Sequence, residues 1–567
     1  MSAPGVSDLA GIEAIEQEAP LAVRLPHASI WQAFKTAARR HADKVAVSFL
    51  AEGRHDGRVD AWTYDELWRR SEAVAHWLTS VASGERSIGL LLANVPEFYC
   101  AYLGGQIAGI PCPINPALPP HVAAAIVQGA GCQALVVEGP TRNPAVWQNA
   151  CGVAAESPGL RHVLVIGDGG EGMPDGVTVT TLEDVVAAAA SAASAPGAQL
   201  THESPAARFH TGGTTGAPKI ATHSHGNQLY EAWAVAHLVG FNSSDVVLVG
   251  LPLFHVHAVI PLSLAPLLQG AQLVLLGAQG FRHPDVIGGF WRIVERFRAT
   301  AFSAVPTVYA ALLAVDPAGA DTSSLRFALC GSAPLPQRLL RDFETRTGLT
   351  ILEGYGLTEG TCVSSLNPVR GPRRIGSIGL RLPYQQMQVA RLDDEGRRLR
   401  DCACGETGEI LISGPNVFRG YTDPDLTQKA FAAPGWLATG DLGHVDAEGF
   451  FWISGRSKDL IKRSGHSVDP RAVEESLLGH PAVAAAAVVA RPDPRAGEVP
   501  FAFVTLRDNA ARDQATLLAQ CRLIVNDPIS APVDLRIVGA LPLTAVGKID
   551  KVKLRDMAAA TQEETSR

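Results

Sequence analysis

The sequence predicts an α/β protein in two parts. A large N-terminal domain of layered α/β subdomains, with a small β-rich subdomain, is followed by a smaller C-terminal α+β domain. Three observations carry this reading. From about Val45, short apolar runs alternate with longer amphipathic stretches, the pattern of strands and helices taken in turn. Near Arg370 the texture changes to short alternating runs divided by glycines. After "GRSKDLIK", which begins at Gly455, about 110 residues of mixed pattern follow, enough for a small separate domain.

Taken in order, "VAVSFL", "SIGLLLAN", "ALVVEG" and "HVLVIGD" read as strands of a largely parallel sheet. "ELWRRSEAVAHWL", "PEFYCAYLGGQIAG" and "HVAAAIVQGAG" read as the helices between them. The rhythm continues through "VVLVGLPLF", "AQLVLLG" and the stretch from Phe297 to Ala314. Residues 191–205, rich in Ala, Ser and Pro, read as a surface connection. "GSIGLRLPYQQMQVA", "GETGEILISG" and "GFFWISG" predict the β-rich subdomain. The domain boundary is placed at Lys458, giving domains of 1–457 and 458–567.

Composition narrows the function. A chain of 567 residues exceeds one ordinary core. Lys+Arg 48 against Asp+Glu 56 leaves −8, which predicts no nucleic-acid partner. No basic segment followed by an apolar run opens the chain, and no apolar stretch is long enough to span a bilayer. Nine scattered cysteines, without a CxxC pair, speak against a disulfide framework or structural zinc. The expectation is a cytoplasmic protein, monomer or homodimer.

The chemistry concentrates in a few motifs. "TGGTTGAPK" (211–219) gathers three glycines, three threonines and a lysine. Glycines let backbone N–H groups approach an anion, hydroxyls add donors, and Lys219 adds a point charge, which together suit a polyphosphate. It is not a Walker A loop, because Gly216 is followed by Ala217, Pro218, Lys219 and Ile220. "EGYGLTEG" (353–360) places Tyr355, Thr358 and Glu359 together: a ring for a base, a hydroxyl for a phosphate, a carboxylate for Mg2+. "WLATGDL" offers Asp441 after a glycine turn, able to accept from a ribose diol. "GRSKDLIKRSGHSV" adds Arg456, Lys458 and a turn at Gly465, and "LPLTAVGKID" adds Lys548.

With "LPLFHVH", "CGSAPL", "GETGEI" and "AVGKI", these motifs resemble the adenylate-forming superfamily of acyl-CoA synthetases, peptide-synthetase adenylation domains and beetle luciferases. The resemblance runs in the family's order from about Trp62 to Lys548. It implies that Thr211, Gly212, Gly213, Thr214, Thr215, Gly216 and Lys219 hold the β- and γ-phosphates of ATP. Gly331, Ser332 and Ala333 would wall the adenine site. Tyr355 would lie against the base, Asp441 and Arg456 would take the ribose, and Glu353, Gly354, Gly356 and Ile453 would join them in binding the nucleotide. Thr358 and Glu359 would handle phosphate and Mg2+, and Lys548 would bridge the carboxylate and the α-phosphate. The C-terminal domain would be mobile about a hinge at Lys458, swinging the loop of Gly465 and His466 inward for coenzyme A.

The resemblance also implies an acyl tunnel lined by His255, Val256, Ser303, Gly331, Gly354, Gly356, Thr361 and Cys362. His255 reads as its wall or gate, close to the chemistry, because "HVH" lacks further ligands for a metal. Phe254–His255 stands where amino-acid-activating members keep an aspartate, so an α-ammonium would find no partner. Small lining residues predict an aliphatic acid of medium or long chain, linear or branched. Departures from the family pattern are Gly212, Ile220 and Ala472 within "PRAVE". Free coenzyme A is the expected acceptor. The alternatives are a ligase loading a separate carrier protein and a non-catalytic acyl- or nucleotide-binding protein.

Overall fold

The computed structural model describes residues 6–189, 199–211, 218–507, 513–525, 527–544 and 547–565. Two sheets dominate the N-terminal part. In one, Ile110–Pro113, Ser87–Leu91, Cys132–Glu138, His162–Ile166 and Thr178–Thr181 lie side by side, all parallel. In the nine-stranded sheet, six central strands are parallel: Ile351–Tyr355, Phe327–Cys330, Ala301–Ala304, Val246–Val249, Gln272–Leu275 and Val45–Leu50. Antiparallel strands close both its edges. Strands buried on two faces read as continuous apolar runs, and Val247, Leu248, Phe302, Ala328 and Leu352 are all fully covered.

Helices cover these sheets where amphipathic stretches stand in the sequence: Tyr64–Val81, Glu97–Ala108 and Pro120–Gly129. Thr63 and Glu66 form a reciprocal capping box that starts the first of these. Ser224 and Asn227 do the same for His225–Val239, which ends at left-handed Gly240. That helix matters below, because its buried face packs behind the site.

Three smaller sheets complete the chain. Pro205–Thr211 and Lys219–Ser224 form a hairpin extended by Gly420–Tyr421. The β-rich subdomain is a six-stranded antiparallel sheet that includes Gln386–Leu392, Gly408–Ser413, Trp436–Val445 and Phe451–Arg456. The run "GSIGLRLPYQQMQVA" divides: Leu380–Arg381 joins the edge of the nine-stranded sheet, and only Gln386–Leu392 enters the subdomain. Pro383 and left-handed Tyr384 turn the chain between them. A short turn, Ser457–Asp459, then leads to the C-terminal sheet, whose first strand is Ile461–Arg463. Its long hairpin, Val483–Asp493 with Gly497–Leu506, has a core of its own built on Val488, Val504 and Leu535. Among the described residues, no helix is long and apolar enough to cross a membrane.

Candidate active site

Open α/β sheets bind ligands beyond the carboxyl ends of their parallel strands, and the candidate residues gather there. Val246–Val249 runs out toward His255, and Phe327–Cys330 leads into Gly331, Ser332 and Ala333. Ile351–Tyr355 carries Glu353, Gly354 and Tyr355 and leads into Gly356 and the turn Thr358–Gly360. A Cβ at Gly356 would fall 1.4 Å from the Cys362 carbonyl oxygen, so only glycine fits where these segments cross.

The ribose and base candidates form one connected group. Asp441 and Arg456 face each other on paired strands. Asp441 is 3% exposed and accepts from the Tyr355 hydroxyl at 2.6 Å and from Arg456 Nε at 2.8 Å. Each carboxylate oxygen keeps a lone pair, so a diol can still be received. Burial, then the neighbouring Asp441 charge, holds the Tyr355 phenol well above its usual range, so the ring stays neutral. Ile453 packs in the same apolar cluster as Tyr355, and its carbonyl accepts from Arg471 at 2.7 Å. Glu353 points inward: its Oε1 accepts the Leu335 N–H at 3.1 Å, bracing the turn of Gly331, Ser332 and Ala333. Burial pushes its carboxyl up to about 7.

On the phosphate side, Thr211 and Lys219 pair across the hairpin that carries the glycine-rich loop. Gly212, Gly213, Thr214, Thr215 and Gly216 lie outside the described residues. Lys219 Nζ stands 5.4 Å from the ring centroid of Tyr421, whose hydroxyl donates to Glu359 Oε1 at 2.6 Å. His223 sits behind Thr358, with Nε2 at 2.7 Å from the Thr358 carbonyl oxygen. Burial lowers this imidazole to about 4, so the neutral ring donates through Nε2–H. No cluster of three His, Cys, Asp or Glu side chains that could hold a metal occurs among the described residues. Mg2+ bound beside phosphates needs only one or two carboxylates. Glu359, its Oε2 free of hydrogen bonds among the described residues, fits that demand.

The acyl side is organised by His257, which the sequence reading weighs only as a metal ligand. His257 Nε2 lies 2.9 Å from Ser303 Oγ and Nδ1 lies 3.0 Å from Ser332 Oγ. Ser303 also donates to the Leu329 carbonyl at 2.9 Å. With that proton used, Ser303 accepts from His257 Nε2–H, and Nδ1 accepts from Ser332. Burial lowers His257 to about 4, consistent with a neutral ring. The chain fixes Ser332, which holds a left-handed backbone with φ 69°. Ser303 is thereby turned into the wall, fully buried. Thr361 is also fully buried and donates to the Asn416 carbonyl at 2.6 Å. Val256 and Cys362 are 3% and 8% exposed. His255 caps the short helix Val256–Val259, and burial, with Lys548 next, holds its ring well below the usual range.

Lys548 reaches this site from the C-terminal domain. The carbonyl of Gly547 accepts from Thr307 Oγ1 at 3.2 Å, and a Cβ on Gly547 would meet Val305 at 3.1 Å. The Lys548 ammonium is lowered to about 8 by burial, then by Arg456, while Asp441 and Cys362 oppose the shift. It also bears on His255 and His257. Its charge thus bears on both the ribose carboxylate and the histidines of the acyl wall. Lys458 is exposed in the turn Ser457–Asp459. Gly465 and His466 occupy an exposed hairpin turn, and no hydrogen bond among the described residues ties it to this group. The sequence held a signal for His257, which stands two residues after His255 in the same motif; Tyr421, in "FRGYTDP", had none.

Comparison with known proteins accords with this geometry. The family described as AMP-binding enzyme matches residues 34–422, and the AMP-binding enzyme C-terminal domain matches 472–548. Marinolic acid–CoA ligase of Pseudoalteromonas sp. (strain SANK 73390) is 38% identical over 563 residues, covering 97% of this chain and 84% of the relative. The crystal structure of the anthranilate CoA ligase AuaEII with anthranoyl-AMP superposes with a TM-score of 0.82 at 27% identity, covering 96% of this chain and 99% of that one. ATP-bound MatB from Rhodopseudomonas palustris gives 0.78 at 27% identity, covering 93% and 98%. The family match spans well over half of the chain, and the chain belongs to the AMP-binding enzymes, as an acid–thiol ligase of the AMP-forming class.

Proposed function

We propose that the protein is an ATP-dependent acyl-CoA synthetase. A carboxylate attacks the α-phosphorus of ATP to give an acyl-adenylate and pyrophosphate; the thiol of coenzyme A then attacks the acyl carbon and AMP leaves. The observation that supports this most is Lys548, brought to the site by the hydrogen bond of Thr307 to the Gly547 carbonyl, where the charges of Asp441 and Arg456 both act on it. A cation there can neutralise two anions that must meet, and adenylation rests chiefly on such positioning and charge stabilisation. Asp441 and Arg456 would receive the ribose, and Tyr355, pinned by its hydroxyl on Asp441, would cover the base. Lys219 and the loop of Thr211 to Gly216 would hold the β- and γ-phosphates, and Glu359 would hold Mg2+, which neutralises phosphate charge.

We place the domains at 1–457 and 458–567 with the hinge at Lys458. The second half-reaction would need Lys548 withdrawn and the loop of Gly465 and His466 swung in. The small and apolar residues Val256, Gly331, Gly354, Gly356 and Cys362 favour a mainly aliphatic acid of medium or greater length. ATP and coenzyme A are cytoplasmic metabolites, and the reading places the enzyme with them. The test is acyl-CoA formation, read by product mass, from ATP, Mg2+, coenzyme A and a panel of acids. Acyl-CoA from one acid class is the expected result; acyl-AMP accumulating despite coenzyme A would replace the acceptor by a carrier protein.

A further inference from the structure

Glu231 lies in the helix His225–Val239 and is fully buried. Its Oε1 accepts the backbone N–H of Val363, the residue after Cys362. Its Oε2 is buried and has no hydrogen-bond partner among the described residues. His225 Nε2, at the start of the same helix, is likewise unpartnered, but the amides between it and Glu231 are bonded. Gln228, one turn earlier, is bonded by Tyr102 and Gln106, and Asn227 donates to the Pro415 and Val417 carbonyls. No described cation forms an ion pair with Glu231. Its charge bears on Tyr230 of its own helix and on Cys362 of the packed loop.

An ion buried without a partner is costly, and such a group neutralises instead; burial accordingly pushes the Glu231 carboxyl well above its usual range. In the neutral acid the carbonyl oxygen is the better acceptor. That role belongs to Oε1, which takes the Val363 N–H, so the proton sits on Oε2. The free protein thus holds a buried O–H donor with no acceptor. Its location gives it a use: the loop that binds Oε1 carries Cys362, an expected tunnel residue, and the charge of Lys548 bears on the same thiol.

We infer that Glu231 is a specificity-determining residue whose Oε2–H donates to an oxygen on the acyl chain, so that the preferred acid is an aliphatic acid bearing a hydroxyl, ether or keto group rather than a plain alkanoic acid. The inference rests on the acyl-CoA synthetase reading and narrows its substrate. A site built to hydrogen-bond a substrate oxygen discriminates against the analogue that lacks it, because the site's own polar group is then left unpaired.

The test compares octanoate and decanoate with their hydroxy and keto counterparts, the oxygen moved along the chain, and reads kcat/KM by pyrophosphate release. The wild-type protein is expected to favour one oxygenated isomer by roughly 10- to 100-fold. Glu231→Gln, which keeps a donor at that position, should retain most of this ratio. Glu231→Leu should bring it to within about threefold of unity. Equal preference in the wild-type protein, or an unchanged ratio in Glu231→Leu, would overturn the inference and leave Oε2 to a buried water. Preference for the corresponding amino acids would overturn the donor assignment, since an ammonium would ionise the carboxyl. Pyrophosphate release without discrimination defeats only this inference, whereas silence with every acid defeats the synthetase reading as well.

Discussion

Replacing Lys548 by alanine removes a cation that the C-terminal domain delivers to the site. The backbone contact that docks this segment, Thr307 Oγ1 to the Gly547 carbonyl, survives the change, so the domain still closes. What is lost is charge. Two unit charges about 4 Å apart at an effective dielectric near 20 interact by roughly 4 kcal/mol. Lys548 is only partly covered in the free protein, so solvent screening leaves about 2–4 kcal/mol of transition-state stabilisation. That corresponds to a loss of roughly 30- to 1,000-fold in the adenylation rate. The assay separates the half-reactions: pyrophosphate release from acid and ATP, and thioester formation from supplied acyl-adenylate and coenzyme A. The first should fall by this factor and the second by less than about threefold. Equal losses in both would refute the division of labour assigned to the two domain orientations.

Further outcomes follow from the same geometry. Asp441→Asn weakens a charge-assisted bond to Arg456 and the bond from Tyr355 together, worth about 2–3 kcal/mol, so KM for ATP should rise roughly 30- to 150-fold. Tyr355→Phe removes only the hydroxyl, about 1 kcal/mol, and should raise it by about fivefold; steady-state kinetics giving the reverse order would contradict the shared role of Asp441. Glu353, raised to about 7 in the fold, binds its proton more tightly folded than unfolded. Its stabilising contribution is present in full below about pH 4.5 and is lost as pH rises through 7. Glu353→Gln should therefore gain stability relative to the wild-type protein between pH 5 and 8.5, by as much as about 3 kcal/mol. Denaturant unfolding that shows a constant difference across that range would deny the buried carboxyl its titration.

Much of this architecture is legible in residue types and spacing. Val45–Leu50 and His162–Ile166 begin where their apolar runs begin, because strands buried on both faces must be written as such runs. Tyr355, Asp441 and Arg456 each stand in a motif whose chemistry suggests a nucleotide, and the fold joins all three by hydrogen bonds. Sequence does not show how buried polar groups pair. Ser303 reads as a tunnel residue, yet its hydroxyl is spent on His257 and Leu329. Glu353 reads as a nucleotide contact, yet it braces the Leu335 turn. Glu231 sits in a stretch without any motif, and its isolation becomes visible only when the neighbours of each oxygen are known. These pairings join segments far apart in the chain, so no local pattern encodes them.

On the proposed function, this site activates a carboxylate with ATP and hands the acyl group to coenzyme A. Pyrophosphate release and product mass, measured with ATP, Mg2+ and acids from acetate to C18, including branched, aryl and oxygenated acids, with and without coenzyme A, test it most directly. The expected result is pyrophosphate and AMP in step with an acyl-CoA from one class of acid. ATP turnover without any acyl-adenylate or acyl-CoA, or no turnover across the whole panel, would contradict it.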